Sequence, residues 1–271
     1  MKSVFSIVTA AFLAPAPARA SVEGRWATVN GHRIYYEIHG SGRPLMLLHG
    51  GGNNIVRSWE RQIVDFSPTR QVIAPEQSGN GHSPDVAGPF SYSQMTEDTA
   101  ALLRQLGLSG VDVVGWSDGG VVALMLAIRH PELVRRVVAT GANTDPSGIP
   151  AYVRRGLSSA SAANMMVGGV LRDYNAFSPD GPAHAPVIGE KLKQLWLTHP
   201  IPSELSMDLL RKIQAPVLVM AGENDVISLG HTLQIYHALP HAELWIVPDT
   251  GHAAFVERPE LTDPRVLSFL R

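Results

Sequence analysis

Ser117 stands in Gly115-Trp116-Ser117-Asp118-Gly119-Gly120, between the apolar stretches 111–114 and 121–128. A serine hydroxyl becomes a nucleophile once a base takes its proton. A Gly-x-Ser-x-Gly between a strand and a helix is the context that makes it a nucleophile elbow. The sharp turn holds the serine in strained backbone, and glycines two residues to either side remove side chains that would collide. The turn also sets Ser117 at the positive end of the following helix, where developing negative charge is stabilised. The base such chemistry needs is available in His252, which ends Val247-Pro248-Asp249-Thr250-Gly251-His252 on a glycine-bearing loop after a strand. His231, His237 and His241 fall on or near a helix and read as surface residues, while His49 reads as shaping the loop it opens. A carboxylate must fix the imidazole tautomer. Asp225, in Ala221-Gly222-Glu223-Asn224-Asp225, is the first choice, with Glu223 and Asp249 as competitors. His49-Gly50-Gly51-Gly52-Asn53 follows another apolar run. Consecutive glycines admit close backbone approach and point amides inward. The loop lacks Gly-Lys-Ser/Thr and dinucleotide-fingerprint spacing, so an oxyanion hole fits it better than a phosphate cradle.

These residues need a scaffold, and the periodicity supplies one. Strands are predicted at 25–29, 32–38, 45–48, 71–74, 111–115, 137–140, 217–221 and 243–247. Asn30-Gly31 joins the first two as a hairpin, because both turn residues must take positive φ. Helices are predicted over 57–66, 91–106, 121–129, 229–239 and 259–270. This alternation predicts an α/β fold, a mostly parallel sheet of eight strands with helices on both faces. Ligands in such sheets sit at the carboxyl ends of the strands, and His49, Ser117, Asp225 and His252 all fall just past predicted strands. From Gly141 the alternation stops. Residues 144–212 are rich in Pro, Gly, Ser and Ala, with helical fragments at 151–157, 162–174 and 188–197. They read as a helical cap inserted between core segments 21–143 and 213–271. Met165, Met166, Tyr174, Phe177 and Trp196 are its apolar packing residues.

Composition narrows the classes. The 271 residues are 45% hydrophobic and 17% charged, enough for a sizeable core in one large domain or two small ones. Formal charge is −2, and like charges run no longer than Arg135-Arg136 and Arg154-Arg155, pairs that read as solvated surface. No nucleic-acid partner is expected. Without cysteine there is no disulfide, thiolate nucleophile or cysteine metal site. No His, Asp or Glu cluster has metal-ligand spacing, so neither metal nor cofactor is expected. At the start, Lys2, an apolar run over 4–14, Pro15, Pro17 and Ala18-Arg19-Ala20 have the order of an export signal cut after Ala20. The run is too short for a permanent membrane span. A periplasmic or secreted protein without a membrane span is expected, held together by packing alone.

Four motifs in this order resemble those of the α/β-hydrolase superfamily over residues 22–271. His49-Gly50-Gly51-Gly52 resembles its oxyanion loop, Gly115 to Gly120 its elbow, Gly222-Glu223-Asn224-Asp225 its acid turn and Gly251-His252 its histidine turn. Within the superfamily the chain is similar to the small-cap esterase, lactonase and C–C hydrolase-like group. The resemblance implies Ser117 as nucleophile, His252 as base, Asp225 as orienter, and the backbone N–H groups of Gly51 and Asp118 as oxyanion donors. It implies cleavage of a small carboxylic ester or lactone through an acyl-enzyme. The alternatives are a C–C bond hydrolase, amidase or perhydrolase with the same triad, or a hydrolase-fold binding protein with little turnover. Dehalogenase or epoxide hydrolase action is disfavoured, because those relatives carry an aspartate at the elbow. Trp116, Gly52, Trp196 and Phe255 are candidates for the substrate pocket, with core packing the alternative for Trp116 and Phe255. One departure lies in 76–83. Relatives usually carry Asp and Arg where this chain has Glu76 and Ser78, so their loop salt bridge is not expected here.

Overall fold

A computed structural model describes residues 24–158, 174, 176–198 and 205–271. β1 (Arg25–Val29) and β2 (His32–His39) form the antiparallel edge, turned by Asn30 at φ 49° and Gly31 at φ 88°. Then come β3 (Arg43–Leu48), β4 (Arg70–Pro75), β5 (Val111–Trp116), β6 (Val134–Thr140), β7 (Val217–Gly222) and β8 (Ala242–Val247). The spatial order is β1-β2-β4-β3-β5-β6-β7-β8, parallel from β4 onward. The elbow strand β5 thus lies in the interior of the sheet.

Continuous apolar runs become strands covered on both faces. In β3, Met46 and Leu48 join one core while Leu45 and Leu47 join the other, all fully buried. The first core is closed by α2 (Tyr92–Gln105) and α3 (Asp118–Arg129), the second by α1 (Ile55–Phe66), which brings Trp59, Ile63 and Phe66. α1 starts two residues before the predicted helix. Asn54, hidden in the glycine loop, is its N-cap and accepts the Arg57 N–H at 2.9 Å.

Between β6 and β7 the described residues form α4 (Ala151–Ser158), α5 (Ala185–Thr198), α6 (Met207–Leu210) and short 3-10 turns. Ile188, Leu192 and Leu195 of α5 join the first core, and Tyr174 is buried there. Most of the helix expected over 162–174, with Met165 and Met166, lies outside the described residues, as does the expected leader over 1–20. The chain closes with α7 (Leu229–Ala238), α8 (Ala254–Glu257) and α9 (Pro259–Phe269). Among the described residues no helix is long and apolar enough to cross a membrane.

Arg135 departs from the solvated surface charge expected of it. Its guanidinium and that of Arg70 both donate to the fully buried Asp112 carboxylate and to the Leu270 carbonyl, pinning the chain end beneath the sheet. β6 begins at Val134, so the basic pair lies inside a strand.

Asp263 of α9 is buried beside Gln62, whose amide donates to both its oxygens at 3.1 Å. Burial and the neighbouring Asp65 push the Asp263 carboxyl up to about 7. A raised carboxyl favours the folded state below the ordinary carboxylate range and loses that contribution as pH rises through about 7. Asp263→Asn should therefore stabilise the protein at pH 8 by ~2–4 kcal/mol and change little at pH 4. Paired urea titrations at the two pH values check this, and an equal shift at both would refute it.

Candidate active site

The elbow has the strained geometry its sequence requires. Ser117 sits at φ 56° and ψ −119°, between β5 and α3. Its N–H donates to the Thr140 carbonyl at 2.8 Å, and its carbonyl accepts from Gly120 and Val121. The flanking glycines are steric necessities. A Cβ on Gly115 would lie 2.1 Å from the Gly119 carbonyl oxygen, and one on Gly119 would lie 2.1 Å from that of Leu48. Close-packed backbone on both sides thus holds a serine where few non-glycine residues sit.

The structure brings Ser117, His252 and Asp225 together. His252 Nε2 is 2.9 Å from Ser117 Oγ, and Nδ1 is 2.7 Å from Asp225 Oδ1. An ionised carboxylate only accepts, so Nδ1 carries the proton and Nε2 is left to accept from the hydroxyl. Asp225 Oδ1 also accepts the Ile227 N–H at 2.8 Å. The Asp225 side chain is 2% exposed, and its Oδ2 has no hydrogen-bond partner among the described residues. The competing carboxylates lie elsewhere. Glu223 is exposed and accepts the N–H of Asp249, itself exposed at φ 55°.

Trp116 serves the histidine turn from below. Its indole N–H donates to the His252 carbonyl at 2.7 Å, and the two rings lie 5.8 Å apart. Trp116→Phe removes that bond and keeps the ring. The rate of Ser117 labelling by a fluorophosphonate should fall roughly threefold to tenfold, since small misplacements of a base are costly. Unchanged labelling kinetics would return Trp116 to plain packing.

In the loop after β3, buried His49 accepts the Gln77 N–H on Nε2 at 3.0 Å, so its Nδ1–H donates to the Gly50 carbonyl at 2.8 Å. Burial lowers its pKa, matching this neutral tautomer. Gly52 is taken up in shaping the loop, its N–H donating to Asn80 Oδ1 at 2.9 Å. The N–H groups of Gly51 and Asp118 have no hydrogen-bond partner among the described residues. In the loop over 76–83, Glu76 makes local contacts, one of them with the His82 ring at an ion-pair distance of 2.9 Å. Its buried carboxylate accepts the Ile55 N–H and both the N–H and the ring of His82.

Sequence reasoning missed the Asp118 side chain. It is buried, with Oδ1 accepting the Tyr92 hydroxyl at 2.7 Å and both oxygens 3.0 Å from the Trp196 indole nitrogen. Burial raises the pKa of Asp118, and burial beside Asp118 raises that of Tyr92 well above the ordinary phenol. A carboxylate opening an otherwise apolar helix was the available signal. Of the two readings open for Phe255, the structure favours core packing: it is 2% exposed, in the second core against Trp59. One expectation is corrected. His231 is buried, not on the surface, and its Nε2 accepts the Thr144 N–H at 3.0 Å. Burial lowers its pKa. His237 and His241 are exposed. Among the described residues no group of three His, Asp or Glu side chains could hold a metal ion.

Known proteins resemble this chain. The chain is 30% identical over 275 residues to the 2-hydroxymuconate semialdehyde hydrolase of Pseudomonas putida, covering 94% of this chain and 96% of that one. It is 28% identical over 244 residues to the poly(3-hydroxyalkanoate) depolymerase of Ectopseudomonas oleovorans, covering 84% of each. A solved structure of an N-acyl homoserine lactone degrading enzyme superposes with TM-score 0.72 at 26% identity, covering 90% of this chain and all of that one. The model of the alpha/beta hydrolase family matches residues 45–263, from β3 into α9 and through all four loops. By its sheet, its elbow and that match, the chain belongs to the alpha/beta hydrolase family.

Proposed function

We propose that the protein cleaves a small carboxylic ester or lactone through a serine acyl-enzyme. The observation that carries this is the unbroken line from Ser117 Oγ to His252 at 2.9 Å and on to Asp225 at 2.7 Å. In this reading His252 Nε2 takes the hydroxyl proton as Ser117 Oγ bonds to the acyl carbon. The resulting oxyanion is held by the unpartnered amides of Gly51 and Asp118. The imidazolium, stabilised by Asp225, then gives its proton to the leaving alcohol as the C–O bond breaks. Water, deprotonated by the same nitrogen, releases the acid and regenerates the serine. Likeness to the depolymerase and the lactone-degrading enzyme supports the ester or lactone class. Likeness to the semialdehyde hydrolase supports a second reading, hydrolysis of a C–C bond by the same three residues.

A panel of p-nitrophenyl esters, lactones, anilides and 2-hydroxymuconate semialdehyde decides between them, with fluorophosphonate labelling in parallel. Ester or lactone turnover at the highest kcat/KM is the expected result. Preference for the semialdehyde would favour C–C cleavage, and labelling without turnover a binding protein. The export leader and the cap over 144–212 belong to the same proposal. An N-terminus at Ser21 on protein recovered outside the cytoplasm supports the leader, and an intact Met1 there rejects it.

A further inference from the structure

The cap helix and the elbow meet at one buried carboxylate. Asp118 contributes two groups at once: its N–H, unpartnered beside Ser117, and its side chain, held by Tyr92 of α2 and Trp196 of α5. Both donors are neutral, and none of the side chain's described hydrogen bonds comes from a cation. A buried carboxylate held this way is costly unless its bonds are kept. The oxyanion loop belongs to the same contact. A Cβ on Gly51 would lie 2.1 Å from Asp118 Oδ2 and 2.9 Å from Trp196 Cζ2, so indole and carboxylate press on the backbone of the second donor. A separate contact seats α5: Lys191 Nζ donates to Asp85 at 2.7 and 2.8 Å and to the Val86 carbonyl at 2.7 Å. The helix is therefore fastened to the 85–86 loop and, through Trp196, to the oxyanion hole.

We infer that Trp196 is a latch that couples seating of the cap to assembly of the oxyanion hole, acting through the Asp118 carboxylate as a positioning residue. With the latch engaged, Gly51 and Asp118 hold their amides in one arrangement. With α5 lifted, Asp118 loses a donor, Gly51 loses its packing, and the hole slackens. Trp196 then governs the transition state more than substrate binding. This rests on the serine-hydrolase reading for its kinetic consequence and on geometry alone for its structural one.

The test uses Trp196→Phe, which keeps an aromatic ring and removes the N–H, with Tyr92→Phe as a second variant removing the other donor. The exposed Val187→Ala on the same helix is the control. For Trp196→Phe, kcat on the best substrate of the panel should fall about tenfold with KM changed less than about threefold. Affinity for a trifluoromethyl ketone, which forms a tetrahedral adduct on the serine, should fall by a similar factor. Amide exchange over 49–53 and 116–121 should quicken in both variants and stay at the wild-type rate in Val187→Ala. Wild-type exchange in both donor variants would overturn the latch, and so would a change confined to KM, which would make Trp196 a wall of the pocket. If the wild type turns over nothing in the panel, the proposed reaction fails while the exchange measurement still judges the latch. Should Trp196→Phe not fold, Tyr92→Phe carries the same readouts.

Discussion

Replacing Ser117 by alanine should lower kcat for an ester substrate by on the order of 10⁴-fold or more while leaving KM near its wild-type value. The hydroxyl is the only atom removed, and its one described hydrogen bond runs to His252. Alanine meets the same backbone strain at φ 56°, so the melting temperature should move little. The residual rate would come from the amides of Gly51 and Asp118 and from substrate binding. Steady-state kinetics, loss of fluorophosphonate labelling and a melting curve on one preparation make the check. Near wild-type hydrolysis by a folded Ser117→Ala protein would remove the serine from the chemistry.

The second large effect falls on Asp225, and here the two replacements should differ. Asp225→Ala leaves the imidazole free to rotate or take the wrong tautomer, for a loss of about 10³–10⁴ in kcat. Asp225→Asn should lose less, roughly 10²–10³. One oxygen, Oδ1, accepts both from His252 Nδ1 and from the Ile227 N–H, so an asparagine oxygen there keeps both bonds and the tautomer. What it gives up is the negative charge that stabilises the imidazolium, and it buries an NH₂ where Oδ2 has no described partner. Glu223→Gln and Asp249→Asn, at exposed positions away from the imidazole, should stay within about threefold of wild type. Kinetics across these four variants give the ranking. Equal losses for alanine and asparagine would mean that charge, not tautomer, is the larger part, and a large loss at Glu223 would move the acid.

The strands and the four loops were legible because their signals are local. Runs such as Leu45–Leu48 read as strands from a few neighbouring residues, since a strand buried on both faces carries apolar side chains at successive positions. For Gly115 the reason is the same, because the atoms a Cβ would meet belong to the turn itself, at Gly119 and Gly120; Gly119 instead clears Leu48 on the neighbouring strand, far away in the chain. Strand ends were less legible. β6 starts three residues early, and Arg135 within it donates to Asp112, a residue on a different strand.

The contact of Trp116, the surroundings of His231 and the partners of the Asp118 side chain were not legible for one reason: each is defined by a residue distant in the chain. Trp116 meets His252 across 136 residues, Thr144 meets His231 across 87, and Trp196 meets Asp118 across 78. Periodicity says that such a residue points inward and does not say what it meets there. The order of motifs along the chain, by itself, determined the family resemblance, the sheet and the placement of Ser117, His252 and the glycine loop just past strand ends. These follow from backbone sterics and strand burial, which act between near neighbours. Tertiary structure alone decided which of three carboxylates reaches the imidazole, which amides stay unpartnered among the described residues, and that Trp196 of α5 rests on the elbow. Those outcomes depend on distances of about 3 Å between segments that meet only once the sheet has closed its two cores.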